Sequence, residues 1–146
     1  GQISQKDPAF SPQQFLTGVE GAFRQILGAY ATGNRVVLKE RLAPEAYAAF
    51  DAAIAARETA GETQKTEIHG IDSIAIQDVR LTDGTAGTAA VIDVRIVSDQ
   101  ISLVTDRDDR PVTGTDAITE FSDLWTFEKL LGMGGATWRL SAARSA

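Results

Sequence analysis

Cysteine is absent from the 146-residue chain, and histidine occurs once, as His69. Without cysteine there are no disulfide bonds, no thiol nucleophile and no zinc site built on thiolates. A single imidazole cannot form the histidine cluster that many metal centres use. We therefore predict neither a metal site nor a cofactor.

Long apolar runs are missing as well, because no stretch approaches the roughly 18–20 consecutive apolar residues that cross a bilayer as a helix. Hydrophobic residues still make up 43% of the chain and charged residues 23%, a composition typical of globular domains. A chain of this length can bury roughly 70% of its unfolded surface. We predict a single folded domain over residues 11–146, preceded by a flexible polar segment, residues 1–10.

The chain also lacks an excess of basic residues over acidic ones. The net charge is −6, and its distribution is uneven: residues 1–65 carry seven Lys or Arg and seven Asp or Glu, whereas residues 66–146 carry seven and thirteen. Nucleic-acid phosphates are bound by basic surfaces. The charge pattern therefore argues against a nucleic-acid partner, and it leaves the neutral first part free to approach a membrane or an apolar partner.

Three helices are predicted in the first 61 residues. Ser11 is a suitable N-cap and Gly33 a typical C-terminal stop for the first helix. A short helix over Val36–Leu42 follows, and a third helix begins at Pro44 and ends at Gly61. Apolar residues recur at three- and four-residue spacing, as on the buried face of a helix: Phe15, Leu16, Val19, Phe23, Ile26, Leu27 and Tyr30 in the first helix, then Tyr47, Phe50 and Ile54 in the third.

From Thr66 onward the apolar period changes to two, which is typical of strands. Changes of phase near Gln77 and after Gln100 predict β-bulges, and the last strands are expected over Ile118–Leu130 and Thr137–Ala143. Helices followed by strands indicate an α+β fold. We predict N-terminal helices packed on a curved, about four-stranded antiparallel sheet.

A curved sheet crossed by a long helix encloses a cone, and concavities of this kind often hold apolar ligands. Strand alternation places Phe121, Asp123, Trp125 and Phe127 on one face. We predict that the large apolar side chains line one ligand-binding cavity, formed by Phe23, Leu27, Tyr30, Tyr47, Phe50, Trp125, Phe127 and Trp138.

Asp123 is a carboxylate among these aromatic residues. Burial raises a carboxyl pKa and can produce a general base, but a structural carboxylate paired with an arginine or with backbone N–H groups gives the same pattern. The chain offers no Ser-His-Asp order, and the sequence indicates no histidine or second carboxylate that converges on Asp123. We predict no catalytic residues and a structural Asp123 that meets an arginine or backbone N–H groups; His69 is expected at an edge or on the surface.

The start of the first helix has a membrane interpretation, in which Phe15, Leu16 and Val19 face the bilayer. The outer face of that helix carries only one basic residue, Arg24, whereas helices that lie on membranes usually have a polar face rich in Lys and Arg. The pattern therefore favours a core position, and both roles are compatible if the helix can swing outward.

Four segments, in order, carry a family resemblance: APEAYAAFDAAIAARETAG at Ala43–Gly61, VIDVRIVSDQIS at Val91–Ser102, DLWTF at Asp123–Phe127 and WRL at Trp138–Leu140. Together they resemble the C-terminal domain of the forty-four-kilodalton Tim subunit of mitochondrial inner-membrane protein import, and its bacterial relatives. The resemblance covers the chain from about Phe10 to Ala143.

This resemblance implies a cone-shaped fold similar to nuclear transport factor two and the cystatin-like folds. It implies a non-enzymatic, membrane-associating adaptor whose partners are membrane lipid, such as cardiolipin or another apolar-tailed ligand, and the proteins of a membrane complex. Ten Arg against four Lys, with alanine-rich helices, favour a bacterial homologue. Such a protein is expected on the cytoplasmic side of the inner membrane, attached through an upstream segment; a eukaryotic member would lie at the mitochondrial inner membrane.

Two alternatives stay open from the sequence. One is an isomerase or dehydratase of the same cone fold, because one fold hosts many functions. It would need Asp123 to face the cone beside a donor such as Tyr30, Tyr47 or His69. The other is a soluble carrier of a lipid or fatty acid.

Overall fold

The computed structural model describes residues 10–132 and 134–146. Helices come first and strands second: α1 (Pro12–Thr32), α2 (Arg35–Arg41), α3 (Pro44–Ala60), β1 (Thr63–Gly84), β2 (Gly87–Thr105), β3 (Pro111–Leu130) and β4 (Arg139–Ser145). The strands form one antiparallel sheet in the order β1-β2-β3-β4. The predicted α+β fold is confirmed. The predicted flexible segment, residues 1–10, lies outside the described residues except for Phe10.

Helix ends follow the local signals in the sequence. The side chain of Ser11 accepts a hydrogen bond from the backbone N–H of Gln14 at 3.3 Å. Gly33 and Gly61 end α1 and α3 with φ of 73° and 71°, the left-handed region that favours glycine. Asn34 caps α2 by accepting from the backbone N–H of Val37, which is why that helix begins one residue earlier than predicted.

The sheet contains the predicted bulge near Gln77, because its register shifts between Ile76 and Asp78. A second irregularity follows Gln100, where Gln100 pairs with Thr119 and Ser102 pairs with Thr115. The extra residues at that point lie on β3, the partner strand. These bulges bend the sheet, so its concave face can wrap around α1.

The core fills the space between α1 and the concave face of the sheet. Phe23 and Ile26 of α1 are fully buried, as are Ile92, Val94 and Ile96 of β2. The middle of the predicted cone is therefore packed with side chains. No helix within residues 10–132 and 134–146 is long and apolar enough to cross a membrane.

Candidate functional site

A cavity of about 630 Å³ lies at the N-terminal end of α1. Its walls come from the first three turns of α1, the last residue of α2, the end of β3 and the segment between β3 and β4. The apolar side chains of the lining are those of Phe10, Phe15, Val19, Ala22, Phe127, Ala136 and Trp138; the polar ones are those of Ser11, Gln14, Arg41, Lys129 and Thr137. Gly18 also lines the cavity.

Aromatic contacts build the apolar wall. Phe15 packs against Trp138 with 4.8 Å between ring centroids and meets Phe127 edge-on at 6.1 Å. Phe10 lies 6.1 Å from the rings of both Phe15 and Trp138. Edge-to-face and tilted pairs at these distances are favourable arrangements of aromatic rings. They join the start of α1 to β3 and to the segment that leads into β4.

The charged residues of the cavity lining are both basic. Arg41, in the last turn of α2, has a buried Nε with no hydrogen-bond partner among the described residues. Lys129 places its Nζ 5.9 Å from the ring centroid of Trp138. Among the described residues, the lining holds no Asp or Glu. Both charged side chains of the described lining are thus cations, in a chain whose net charge is −6.

Of the eight residues predicted to line one cavity, Phe127 and Trp138 line this one. Phe23 and Trp125 pack against each other in the core, with ring centroids 4.8 Å apart. Tyr30 and Phe50 pair at 5.4 Å, where α1 ends. Tyr47 lies beneath the Nζ of Lys39, and Leu27 packs half-buried against the core. The expectation that all eight share this cavity is corrected.

Helix length explains the separation. At 1.5 Å per residue, the 21 residues of α1 extend about 30 Å, so its two ends lie over different parts of the sheet. Phe15 and Tyr30 share a helix stripe without sharing a cavity. Ligand binding by the eight residues stays a prediction.

The three residues predicted to face a membrane lie inside the protein in this conformation. Phe15 and Val19 are buried and line the cavity, and Leu16 is half-buried against the core. Membrane contact by these three residues stays a prediction, and it requires the start of α1 to move away from the aromatic wall.

The expected partner of Asp123 is missing. Its half-buried carboxylate lies between Ile96 of β2 and Ser145 of β4, and burial raises its pKa. Neither an arginine nor a backbone N–H within the described ranges donates a hydrogen bond to it, so the prediction of such a partner is wrong. The physical reason is its position on the concave face, where its cross-strand neighbour on β2 and its same-face neighbour Trp125 are apolar.

A carboxylate that does have an arginine partner lies on the opposite face of the sheet. Asp93 accepts a hydrogen bond from Arg80 and another from the hydroxyl of Thr126, each at 2.7 Å. Arg80 holds the pKa of Asp93 below its ordinary value. The sheet therefore does contain an arginine-paired carboxylate, but it is Asp93 on β2 and not Asp123 on the neighbouring strand β3.

The groups needed for acid–base catalysis at Asp123 do not converge. Tyr30 lies with Phe50 at the end of α1, and Tyr47 lies beside Lys39. His69 lies 3.6 Å from Glu67 on β1. Asp123 itself is outside the lining of the cavity.

One further cluster of carboxylates lies on the sheet. Oxygen atoms of Asp72, Asp99 and Glu120 are within 4.8 Å of one another. Partial desolvation and the charges of Asp99 and Glu120 raise the pKa of Asp72. Two of the three are exposed, and exposed carboxylates commonly gather without an ion, so we assign no metal to them.

Sequence reasoning missed Arg41 and Arg57. Each follows a buried apolar residue by three positions, Leu38 in α2 and Ile54 in α3, and therefore lies on the inward side of its helix. That spacing was the available signal. A long arginine at such a position normally reaches solvent, and which ones stay inside depends on the neighbouring elements.

Comparison with known proteins agrees with the fold. Residues 1–145 match the protein family described as the Tim44-like domain. The fold is similar to the crystal structure of the intermembrane space region of the chloroplast protein ARC6, with a TM-score of 0.60 and 10% sequence identity over 89% of this chain and 95% of that chain. At this identity the similarity demonstrates the fold alone. Comparison with curated proteins finds no match.

Proposed function

Because the chain belongs to the Tim44-like domain family, which is associated with membrane protein import and organisation, we propose that it is a non-enzymatic adaptor that binds a membrane and positions protein partners there. The proposed location is peripheral to the bacterial inner membrane, on its cytoplasmic side. The proposed membrane contact is lipid, either cardiolipin or another lipid with apolar tails.

The cavity at the N-terminal end of α1 is the observation that carries this proposal. An apolar wall that includes Phe15, Val19 and Trp138 suits an acyl chain, and the nearby cations Arg41 and Lys129 suit an anionic headgroup. The volume, about 630 Å³, is within the range of small-molecule sites, roughly 300–1,000 Å³.

Charge supports one orientation on the membrane. Residues 66–146 hold the whole net charge of −6, and they include the cluster of Asp72, Asp99 and Glu120. Anionic lipid repels that surface and attracts the cavity with its two cations. The domain is therefore proposed to approach the bilayer with the cavity end first, which leaves the acidic side of the sheet for protein partners.

The enzyme alternative has less support from the geometry. A general base in this fold would need a nearby donor and access to a cavity. Asp123 has neither, since it lies outside the cavity lining and receives no hydrogen bond from a described residue. A soluble lipid carrier would use the same cavity, and the vesicle experiment separates it from the adaptor.

Binding to vesicles tests the proposal. Each cation near an anionic surface contributes about 1 kcal/mol, so Arg41 and Lys129 predict roughly 30-fold tighter binding to vesicles that contain cardiolipin than to phosphatidylcholine alone. Co-sedimentation at low and high salt measures this, and binding is expected to weaken as salt rises. A protein that stays in the supernatant with every lipid composition would contradict the adaptor proposal.

A further inference from the structure

The outer edge of β3 is free along the first half of the strand. Although β3 spans Pro111–Leu130, β4 pairs with it only over Asp123–Glu128. One further backbone bond on this side joins the N–H of Ala146 to the carbonyl of Ser122. Within the described chain, no strand covers the edge from Pro111 to Phe121. An uncovered edge of this kind is a template for pairing with another extended chain.

The free stretch of β3 stands outside the core. All ten residues from Pro111 to Glu120 are exposed, including the apolar side chains of Val112, at 51%, and Ile118, at 58%. The stretch also contains three Thr, and Val, Ile and Thr all favour the extended backbone. Among the described strands, β2 alone pairs with it. A second neighbouring strand would therefore cover apolar side chains that are now open to solvent.

The charges beside this edge are acidic. Asp72, Asp99 and Glu120 lie on the neighbouring strands β1, β2 and β3, and their oxygen atoms are within 4.8 Å of one another. The salt bridges of the described residues involve none of these three carboxylates. The stretch from Pro111 to Phe121 itself has no Lys or Arg. Glu120 is the member on the free edge, so a cation on an added strand would be its cross-strand neighbour and would reduce the repulsion among the carboxylates.

We propose that the free edge of β3 binds an extended segment of a partner protein as an additional strand, with Lys or Arg side chains beside Asp72, Asp99 and Glu120. The main-chain hydrogen bonds of such a strand supply affinity, and its alternate side chains supply specificity. The proposal rests on the proposed function, because it names the kind of protein partner that the adaptor positions.

The neighbouring strand indicates how long the added segment is. On its inner side the free stretch pairs with Ser98–Thr105 of β2, so an added strand of about eight residues fits. The side chains of Thr115 and Thr119 bond the backbone of Ala117, where β3 carries its extra residues. The added strand should therefore bond mainly on either side of Ala117.

The edge and the cavity can be occupied at the same time. At about 3.4 Å per residue, Glu120 lies roughly 30 Å along β3 from Lys129, which lines the cavity. Binding at the edge can therefore be measured in solution, without vesicles.

The test uses an eight-residue peptide of alternating Lys and Val and measures its binding by isothermal titration calorimetry. The parent protein is expected to bind this peptide at low salt, and more weakly as salt rises. A peptide of alternating Glu and Val should bind at least about tenfold more weakly, because like charges then face each other. A Lys and Val peptide with methylated backbone nitrogens keeps its charges but loses its donors, and it should also bind at least about tenfold more weakly.

Glu120→Lys is the matching change in the protein, and it is expected to weaken binding of the Lys and Val peptide at least about tenfold; Glu120→Gln should fall between it and the parent. Glu40→Lys is the control, because Glu40 is an exposed carboxylate on α2 without a salt bridge among the described residues, and its replacement changes the net charge equally. It should bind like the parent. Urea unfolding of each variant checks that the fold is kept.

Amide hydrogen exchange followed by NMR locates the peptide. Slower exchange is expected between Val112 and Phe121 when the peptide is bound, and unchanged exchange along β1. Protection of β1 alone, or equal binding by the parent and Glu120→Lys, would overturn the proposal. So would a parent protein that binds none of the peptides, or one that dimerises through the same edge without peptide.

The outcomes also separate this proposal from the proposed function. If the peptide fails to bind while cardiolipin vesicles still sediment the protein, the edge assignment is wrong and the membrane proposal stands. If the peptide binds as expected while vesicles do not sediment the protein, the edge assignment stands and the membrane proposal is wrong.

Discussion

Trp125→Ala is expected to lower the free energy of unfolding by about 3–5 kcal/mol, the cost of removing a large side chain from a packed core. Trp125 is 3% exposed, and its ring lies 4.8 Å from that of Phe23 and 6.2 Å from that of Phe127. Its cross-strand neighbour Val94 is fully buried. The surrounding side chains belong to two different layers, so they cannot all move inward to fill the space.

Urea unfolding followed by far-ultraviolet circular dichroism measures this loss. Val36→Ala is the control, because Val36 is 71% exposed and its truncation should change stability by less than about 0.5 kcal/mol. A loss below about 1 kcal/mol for Trp125→Ala would mean that this tryptophan borders open space, contrary to the packed core described above.

Arg57→Ala is expected to cost about 2–4 kcal/mol, because hydrogen bonds to a charged donor are worth roughly 1.5–3 kcal/mol. The Nη2 of Arg57 donates to the backbone carbonyls of Tyr30 and Ala31 at 2.7 and 3.2 Å. Those carbonyls end α1, where the helix dipole favours a cation. The guanidinium also lies 4.9 Å from the ring centroid of Tyr30, so truncation removes an aromatic contact as well.

Thermal and urea unfolding of Arg57→Ala, set beside Arg24→Ala, give the measurement. Arg24 is a half-exposed arginine on α1, and its truncation should cost less than about 0.5 kcal/mol. Arg57→Lys should lose less than Arg57→Ala, since an ammonium keeps the charge near the end of α1. Equal stability of Arg57→Ala and Arg24→Ala would show that Arg57 does not hold α3 to α1.

Helix boundaries were predictable because their signals are local. Ser11 and Gly33 bound α1, and Gly61 ends α3, through hydrogen bonds and a backbone conformation that a few neighbouring residues determine. The strands were harder at their ends. β1 begins at Thr63 and β3 at Pro111, in polar stretches that show no apolar alternation. Pairing with β2 makes these stretches strands, and a single sequence window does not contain that partner.

The candidate site also has a part that the sequence predicted and a part that it could not predict. Alternation placed Trp125 and Phe127 on the correct face of β3, and the structure has both buried there. It could not place the cavity along the strand, because that depends on where α1 crosses the sheet. Phe127 therefore borders the cavity while Trp125, two residues away, is core. The position of Arg41 was not predicted either, because the direction of its side chain depends on how α2 packs against the neighbouring elements.

The central claim is that the cavity at the N-terminal end of α1 binds lipid, and two glycines of that helix test it directly. Gly18 lines the cavity, and a side chain built there meets nothing within 4 Å at its first carbon. Gly21 has the same freedom and lies outside the lining. Leucine at either position should stabilise the helix by roughly 0.5–1 kcal/mol relative to glycine. The two variants therefore differ in whether the new side chain occupies the cavity.

The deciding measurement is the fraction of Gly18→Leu and of Gly21→Leu that sediments with cardiolipin-containing vesicles. We predict that Gly18→Leu binds at least about tenfold more weakly than the parent protein, which corresponds to about 1.4 kcal/mol of lost cavity contact, while Gly21→Leu binds like the parent. Equal binding by the two variants and the parent would contradict the claim, because a filled cavity would then make no difference to the membrane.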